Sequence, residues 1–260
     1  MDVTVNGLRL NYEFDGQGPL VLLLHPVGLD LTWWEPQVEA LRPEFQVLRM
    51  DFRGHGKSAI APPPYTLAEF AADAHALLAT LRIGSAHIIG LSLGGMVAQV
   101  LALEYPTEVR SLILSNTLCT LPAQARQAMR ARGEVAEQGG MAAVLEPTLE
   151  RWFTRGFLDS SLTARCRHRL LAQDVGALAS TWRAIADLDT LPRLGEVHVP
   201  TLVTTGDADV STPVAAAQLI ADSIPGAILK VIPRAPHMAP YERPELFNPL
   251  ILQFLRSVKS

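Results

Sequence analysis

Residues 88–95 read Ile-Ile-Gly-Leu-Ser-Leu-Gly-Gly and contain a Gly-x-Ser-x-Gly motif with Ser92 at its centre. An apolar run with β-branched residues leads into the motif, and an alanine-rich, helix-compatible segment follows it. A serine held between a strand and a helix stands on a strained turn, and Gly90 and Gly94 leave room for that turn. The sequence therefore predicts a nucleophile elbow, which exposes the Ser92 hydroxyl to a cleft beside the N-terminus of a helix.

The size and composition of the chain fit one large α/β domain, or such a domain with an insertion. Its 260 residues are 48% hydrophobic and 18% charged, which is typical of a folded globular protein. The formal charge is −4 and lysine-rich runs are lacking, so we expect no nucleic-acid partner.

Cysteine usage and hydropathy bear on the cellular compartment. Cys119 and Cys166 are too few and too far apart for a disulfide framework, so a reducing compartment suits them. The N-terminus lacks the basic start and apolar core of a secretory signal, and no segment approaches the ~20 apolar residues of a membrane span. We therefore expect a cytoplasmic protein without a membrane partner, and the oligomeric state stays open.

Strands and helices alternate along most of the chain. Asn6-Gly7 predicts a hairpin between strands at 3–5 and 8–14, and the alternating apolar positions of the second strand suggest an edge strand. Further strands are predicted at 20–24, 46–50, 86–91, 109–115, 200–205 and 227–232, and helices at 36–41, 67–81 and 245–258. The pattern predicts a mostly parallel, eight-stranded α/β sheet with helices on both faces.

The alternation stops between residue 116 and about residue 191, where long stretches favour helix. We therefore expect a core formed by residues 1–118 and 191–260, with a helical cap at 119–190 inserted into it. Residues 122–170 contain eight arginines and only five acidic residues. This excess either attracts an anionic substrate or keeps the cap helices soluble.

A serine hydroxyl needs a base within reach and a third group that orients the base. In proteins with this kind of nucleophile elbow, the three residues occur along the chain in the order serine, acid, histidine. Of seven histidines, only His237 lies in a loop that follows the last two predicted strands. The strand before it ends in Gly206-Asp207-Ala208-Asp209, and a turn at Gly206 leaves room for Asp209 to reach back to His237. Asp209 is therefore the predicted acid, with Asp207 as the alternative.

An oxyanion hole needs two backbone N–H donors. One is expected from Leu93, directly after the serine, and the other from the loop His25-Pro26-Val27-Gly28. Proline has no N–H, so Val27 is the natural donor in this loop. For His25 we expect a structural role.

Five segments together resemble the α/β-hydrolase superfamily across essentially the whole chain. They are His25 to Gly28, Asp51-Phe52-Arg53-Gly54-His55-Gly56-Lys57-Ser58, Gly90 to Gly95, Gly206 to Asp209, and Pro236-His237. In that family the catalytic acid stands three residues after a glycine and four residues before a proline. Here these are Gly206 and Pro213, so the resemblance implies that Asp209 is the acid. Pro26 replaces a glycine of many members, so we expect a changed pocket mouth with the Val27 donor intact.

Within the superfamily, residues 28–38 and the segment Arg151-Trp152-Phe153-Thr154 most resemble 3-oxoadipate enol-lactonases. The resemblance implies that Trp34 and Trp152 line the acyl pocket, and Met238, directly after the predicted base, is assigned to substrate binding with them. The alternative for both tryptophans is an ordinary core position.

The predicted reaction is hydrolysis of a small carboxylic ester or lactone through an acyl-enzyme on Ser92. The expected substrate is a small anionic enol-lactone. No metal or organic cofactor is implied, because the sequence has neither a His-Glu-x-x-His pair nor a phosphate-binding glycine loop. The alternatives are a broader carboxylesterase, a carbon–carbon bond hydrolase and a cofactor-free perhydrolase. A ligand-binding protein without activity is disfavoured by the complete Ser, Asp and His set.

Overall fold

The computed structural model describes residues 1–258, so the last two positions of the predicted core lie outside the described residues. Eight strands form one sheet: β1 (Asp2–Val5), β2 (Leu8–Asp15), β3 (Leu20–Leu24), β4 (Gln46–Met50), β5 (Ala86–Leu91), β6 (Val109–Ser115), β7 (Thr201–Gly206) and β8 (Ile228–Ile232). Their order is β1-β2-β4-β3-β5-β6-β7-β8. The β1–β2 and β2–β4 pairs are antiparallel and the other pairs are parallel, which confirms the predicted sheet.

The prediction that the second strand lies at an edge is wrong, because β2 pairs with β1 on one side and with β4 on the other. Alternating apolar residues report that one face of a strand is better covered than the other. They carry no information about whether both of its edges are paired. The hairpin prediction is confirmed, since Asn6 and Gly7 join β1 to β2 with φ angles of 50° and 74°.

Helices cover both faces of this sheet. They are α1 (Glu35–Leu41), α2 (Leu67–Thr80), α3 (Leu93–Glu104), α4 (Ala123–Gly139), α5 (Ala142–Trp152), α6 (Ser161–Leu171), α7 (Val175–Ala186), α8 (Val214–Ser223), α9 (Ala239–Glu242) and α10 (Pro244–Ser257). The central strands β3 and β5 are buried along their whole length. Within residues 1–258, no helix combines the length and the apolar character needed to cross a membrane.

Helices α4 to α7 form the segment between β6 and β7 that the sequence predicts as a cap. The long helical stretches expected there are each interrupted. Gly140, with φ of 71°, ends α4, and Asp174 begins α7 by accepting a 2.8 Å hydrogen bond from the N–H of Ala177. An isolated antiparallel bridge between Thr120 and Asp189 joins the two ends of the segment, and we call residues 119–190 the cap after this prediction.

Candidate active site

Ser92 occupies a strained turn between β5 and α3, with φ of 55° and ψ of −113°. The two glycines of the motif have no room for a side chain. A Cβ at Gly90 would lie 2.2 Å from the carbonyl oxygen of Gly94, and one at Gly94 would lie 1.9 Å from the carbonyl oxygen of Leu24. The Gly-x-Ser-x-Gly motif is therefore a steric requirement of this turn.

The carboxylate of Asp209 is surrounded by hydrogen-bond donors. Its Oδ1 accepts from the N–H groups of Ser211 (2.7 Å) and Thr212 (2.9 Å). Its Oδ2 accepts from Asn116 Nδ2 (2.8 Å) and from the hydroxyl of Thr212. The Nδ1 of His237 lies 2.9 Å from the same Oδ2.

These contacts decide the charge of Asp209. Burial by itself raises the pKa of the carboxyl group, but the charge and hydrogen bond of His237 and the donors around it lower the pKa to about 2. The side chain is therefore an anion at neutral pH. An anion at this place favours the tautomer of His237 that carries its proton on Nδ1, which leaves Nε2 without a proton.

Backbone packing brings the two loops that carry these residues together. A Cβ at Gly206 would lie 1.9 Å from the carbonyl oxygen of Ala235, so only glycine allows this approach. The same carbonyl accepts a 3.0 Å hydrogen bond from the N–H of Ala208. Asp209 is buried beside His237, whereas the side chain of Asp207 is exposed.

One small cavity, about 70 Å³ in volume, contains the groups expected to react. Ser92, His237 and Val27 line it, and so does Trp152, whose ring centre lies 6.3 Å from that of His237. Trp182 of the cap also lines it, a residue to which the sequence assigns no role. Nowhere in residues 1–258 do three or more His, Cys, Asp or Glu side chains form a group that could hold a metal ion.

Of the two predicted oxyanion donors, Val27 lines this cavity, whereas Leu93 is fully buried and is not among the described residues that line it. Among the hydrogen bonds formed by residues 1–258, none is donated by the N–H of Val27 or of Leu93. The loop before Val27 is held by His25, whose Nε2 accepts a 3.0 Å hydrogen bond from the N–H of Phe52 while Nδ1 lies 2.8 Å from the carbonyl oxygen of Pro26. Burial lowers the pKa of His25, so the ring stays neutral and can form both bonds.

Two of the predicted substrate-binding residues lie elsewhere. Neither Trp34 nor Met238 is among the described residues that line the cavity. Trp34 ends a 3₁₀ turn before α1 and is fully buried in the core. Met238 is buried as well, and its N–H donates a 3.0 Å hydrogen bond to the carbonyl oxygen of Trp152.

The eight arginines of residues 122–170 fall into three groups in the structure, because Arg155 neither forms an ion pair within residues 1–258 nor lines the cavity. Most members have partners: Arg130 pairs with Asp187, Arg165 with Glu35, Arg167 with Glu146 and Arg169 with Asp30, and Arg126 binds backbone carbonyls. Arg132 and Arg151 instead line the cavity with Ser92, and within residues 1–258 neither has a carboxylate at ion-pair distance.

These two arginines make the cavity wall positive. The guanidinium of Arg132 lies 5.1 Å from the centre of the Trp182 ring, and its Nη2 donates to the hydroxyl of Thr148. Burial, with a smaller contribution from the charge of Arg151, lowers the pKa of Arg132 to about 10. Two cations that repel each other, the exposed Arg151 and the partly desolvated Arg132, favour an anion placed between them. The sequence contains the excess of arginines, but nothing in it distinguishes this pair from the others.

The cap also holds the loop that carries the histidine. The Trp152 carbonyl accepts the Met238 N–H, and two residues later Thr154 binds the carboxylate of Glu242 in α9. The N–H of Thr154 lies 3.1 Å from Oε2 of Glu242, and its hydroxyl donates to Oε1. The end of α5 therefore restrains the backbone on the C-terminal side of His237.

Comparison with known proteins agrees with this architecture. The family model of the alpha/beta hydrolase fold matches residues 19–170. The 3-oxoadipate enol-lactonase 2 of Acinetobacter baylyi is 31% identical over 95% of this chain and 92% of its own length. The crystal structure of the enol-lactonase from Burkholderia xenovorans LB400 has a TM-score of 0.95 and 32% identity, covering 99% of this chain and 100% of that one. A malate-bound thermophilic esterase from Thermogutta terrifontis has a TM-score of 0.92 and 30% identity, covering 100% of this chain and 97% of that one. The chain belongs to the alpha/beta hydrolase family and is a hydrolase enzyme.

Proposed function

We propose that this hydrolase opens a small anionic enol-lactone, similar to that of 3-oxoadipate, through a triad of Ser92, His237 and Asp209. One observation carries the proposal: a serine on a strained turn and a carboxylate-bound histidine line the same cavity as two arginines without carboxylate partners among residues 1–258. Serine and histidine supply nucleophile and base, and Arg132 and Arg151 supply the charge that an anionic substrate needs.

The reaction follows from these positions. The Nε2 of His237 takes the proton of Ser92 as its oxygen attacks the lactone carbonyl, and Asp209 stabilises the imidazolium that forms. The N–H groups of Val27 and Leu93 stabilise the oxyanion of the tetrahedral intermediate. The imidazolium then protonates the departing enol oxygen, which leaves an acyl-enzyme. Water, deprotonated by the same histidine, releases the acid, and the enol becomes a ketone.

The preference for an anion rests on the arginine pair. A hydrogen bond to a charged group contributes about 1.5–3 kcal/mol, so one guanidinium on the substrate carboxylate changes kcat/KM by about 10- to 150-fold. The similarity to two enol-lactonases supports this substrate class, as does the esterase solved with malate, a dicarboxylate. A small-molecule ester or lactone is accordingly the expected partner of the site.

The test compares kcat/KM for the anionic enol-lactone of 3-oxoadipate with kcat/KM for a neutral p-nitrophenyl ester of similar size. We expect the lactone to be preferred, and added salt to weaken the preference because exposed charges are screened over ~8 Å at physiological ionic strength. The change Arg151→Met should lower kcat/KM for the lactone only. Arg167→Met removes a cap charge that is paired with Glu146 and serves as the control.

A neutral ester preferred at every salt concentration would refute the anionic substrate while leaving the serine mechanism in place. Equal effects of Arg151→Met and Arg167→Met would mean that the overall field of the cap, rather than contact at the cavity, sets the preference. Activity of the Ser92→Ala variant near that of the wild type would refute the mechanism itself.

A further inference from the structure

A second and much larger cavity adjoins the candidate catalytic cavity. Its volume is about 630 Å³, compared with about 70 Å³ around Ser92. It lies between α4 of the cap and the segment of the core that runs from the Asp209 loop into α8. The side chains that line both cavities are Leu118, Met129, Arg132, Arg151 and Ser211. We call the larger cavity the outer groove; the two arginines stand where it meets the catalytic cavity.

The walls of the outer groove are mostly apolar. The cap contributes Leu121 and Ala128, among others, and the core contributes Val210, Ala216 and Leu219. Two of these large apolar side chains are well exposed, Val210 at 65% and Leu219 at 40%. Exposed aliphatic groups gathered in one concave surface are typical of a site that binds apolar ligand atoms.

The position of the arginines defines what such a ligand must look like. Arg151 donates a 3.5 Å hydrogen bond to the carbonyl oxygen of Val210, so its side chain lies across the edge of the groove. Its guanidinium and that of Arg132 therefore face a ligand at the point where it passes from the catalytic cavity into the apolar groove. A chain with an anionic or carbonyl head and an alkyl tail satisfies both environments.

We propose that the outer groove is a subsite for the alkyl chain of an acyl group whose carboxyl end lies in the catalytic cavity. The protein then binds straight-chain carboxylates, and it hydrolyses their esters by the reaction described above. The hydrolysis of these esters rests on the proposed function, whereas the binding of carboxylates does not. The groove thus extends the substrate class from compact anionic lactones to esters with an aliphatic acyl chain.

The test is calorimetric titration of the whole chain with straight-chain carboxylates from butanoate to octanoate. Each methylene group buried in the groove should lower Kd by about fourfold. The 1-alkanols of equal length, which lack the charge, should bind at least about tenfold more weakly. Two substitutions in the wall of the groove, Ala128→Trp and Leu219→Ser, should reduce the dependence of Kd on chain length.

A matched control is available in the same helix. Ala131, like Ala128, is an exposed alanine of α4, and it is not among the described residues that line the groove. The Ala131→Trp variant should keep the wild-type dependence of Kd on chain length. A Kd that does not change with chain length, a lack of carboxylate binding, or equal effects of the two tryptophan variants would each overturn the subsite.

Failure of this proposal can be told apart from failure of the proposed function, because the titration needs no turnover. Hydrolysis of the anionic lactone together with carboxylate binding that is independent of chain length contradicts the groove alone. Binding that tightens with chain length, in a protein that hydrolyses no ester or lactone, supports the groove and contradicts the serine hydrolase mechanism.

Discussion

Replacing Asp209 by asparagine removes one charge and changes almost nothing in shape. The one oxygen that the new side chain keeps can still accept the N–H groups of Ser211 and Thr212, so the loop should keep its conformation. Its NH₂ group, however, takes the place of Oδ2, which faces Asn116 Nδ2 at 2.8 Å and His237 Nδ1 at 2.9 Å. A donor now stands where Asn116 and His237 need an acceptor, and the Thr212 hydroxyl, which also donates to Oδ2, must turn its proton away.

The consequence is a change of tautomer in His237. With an NH₂ group opposite it, Nδ1 must accept a hydrogen bond, so the ring proton moves to Nε2 and the ring can no longer take a proton from Ser92. The imidazolium of the transition state also loses its counter-ion. Loss of the orienting carboxylate lowers kcat by about 10⁴-fold in serine hydrolases, equivalent to about 5 kcal/mol of transition-state stabilisation.

The assay is kcat/KM for p-nitrophenyl acetate at pH 8, with thermal unfolding as a measure of folding. Asp207→Asn is the matched control, because the same change is made two residues away on an exposed side chain. We expect the Asp209→Asn variant to fold and to lose about 10⁴-fold in activity, and the control to stay near the wild type. An Asp209→Asn enzyme with a tenth of wild-type activity or more, or a larger loss in the control, would refute the assignment.

Three further predictions concern stability. Gly94→Ala should prevent stable folding or lower the free energy of unfolding by about 3 kcal/mol or more. Gly84→Ala, where a Cβ meets nothing within 4 Å, should be tolerated. Urea unfolding measures the free energy of unfolding of both variants. The pKa of Asp209 lies below its ordinary value of 3.8, at about 2, so its carboxylate stabilises the fold above pH 4 and this contribution is lost as the pH falls to 2. Between pH 5 and pH 2 the wild type should therefore lose about 2 kcal/mol more than Asp209→Asn. Thr154→Val, which removes the hydroxyl donor to Glu242, should lower the free energy of unfolding by about 1–2 kcal/mol, and no loss would contradict the restraint by the cap.

The features that the sequence predicts correctly are those with a local physical cause. Apolar runs identify β3 and β5, because strands covered on both faces have no polar side. The glycines around Ser92 are needed by the turn itself, as their contacts show. The mostly parallel, eight-stranded sheet follows from the family resemblance and from the alternation of strands with helices.

The features that the sequence does not reveal depend on contacts between distant residues. Asn116 binds the carboxylate of Asp209 from 93 positions away, and no local pattern marks it. Arg132 and Arg151 are set apart from the other cap arginines because they line the cavity with Ser92 and have no carboxylate at ion-pair distance within residues 1–258, and both features depend on how the chain folds. The burial of Trp34 is likewise decided by how the turn before α1 packs, so a tryptophan beside the oxyanion loop can serve the core as well as a pocket.

The central claim is that Ser92 is a nucleophile activated by His237. A fluorophosphonate probe tests it most directly, because it reacts with an activated serine and leaves a covalent adduct that peptide mass spectrometry can locate. We predict one adduct, on the peptide containing Ser92, which is absent in Ser92→Ala and forms far more slowly in His237→Ala. An adduct on another residue, or labelling of Ser92 at an unchanged rate without His237, would contradict the account.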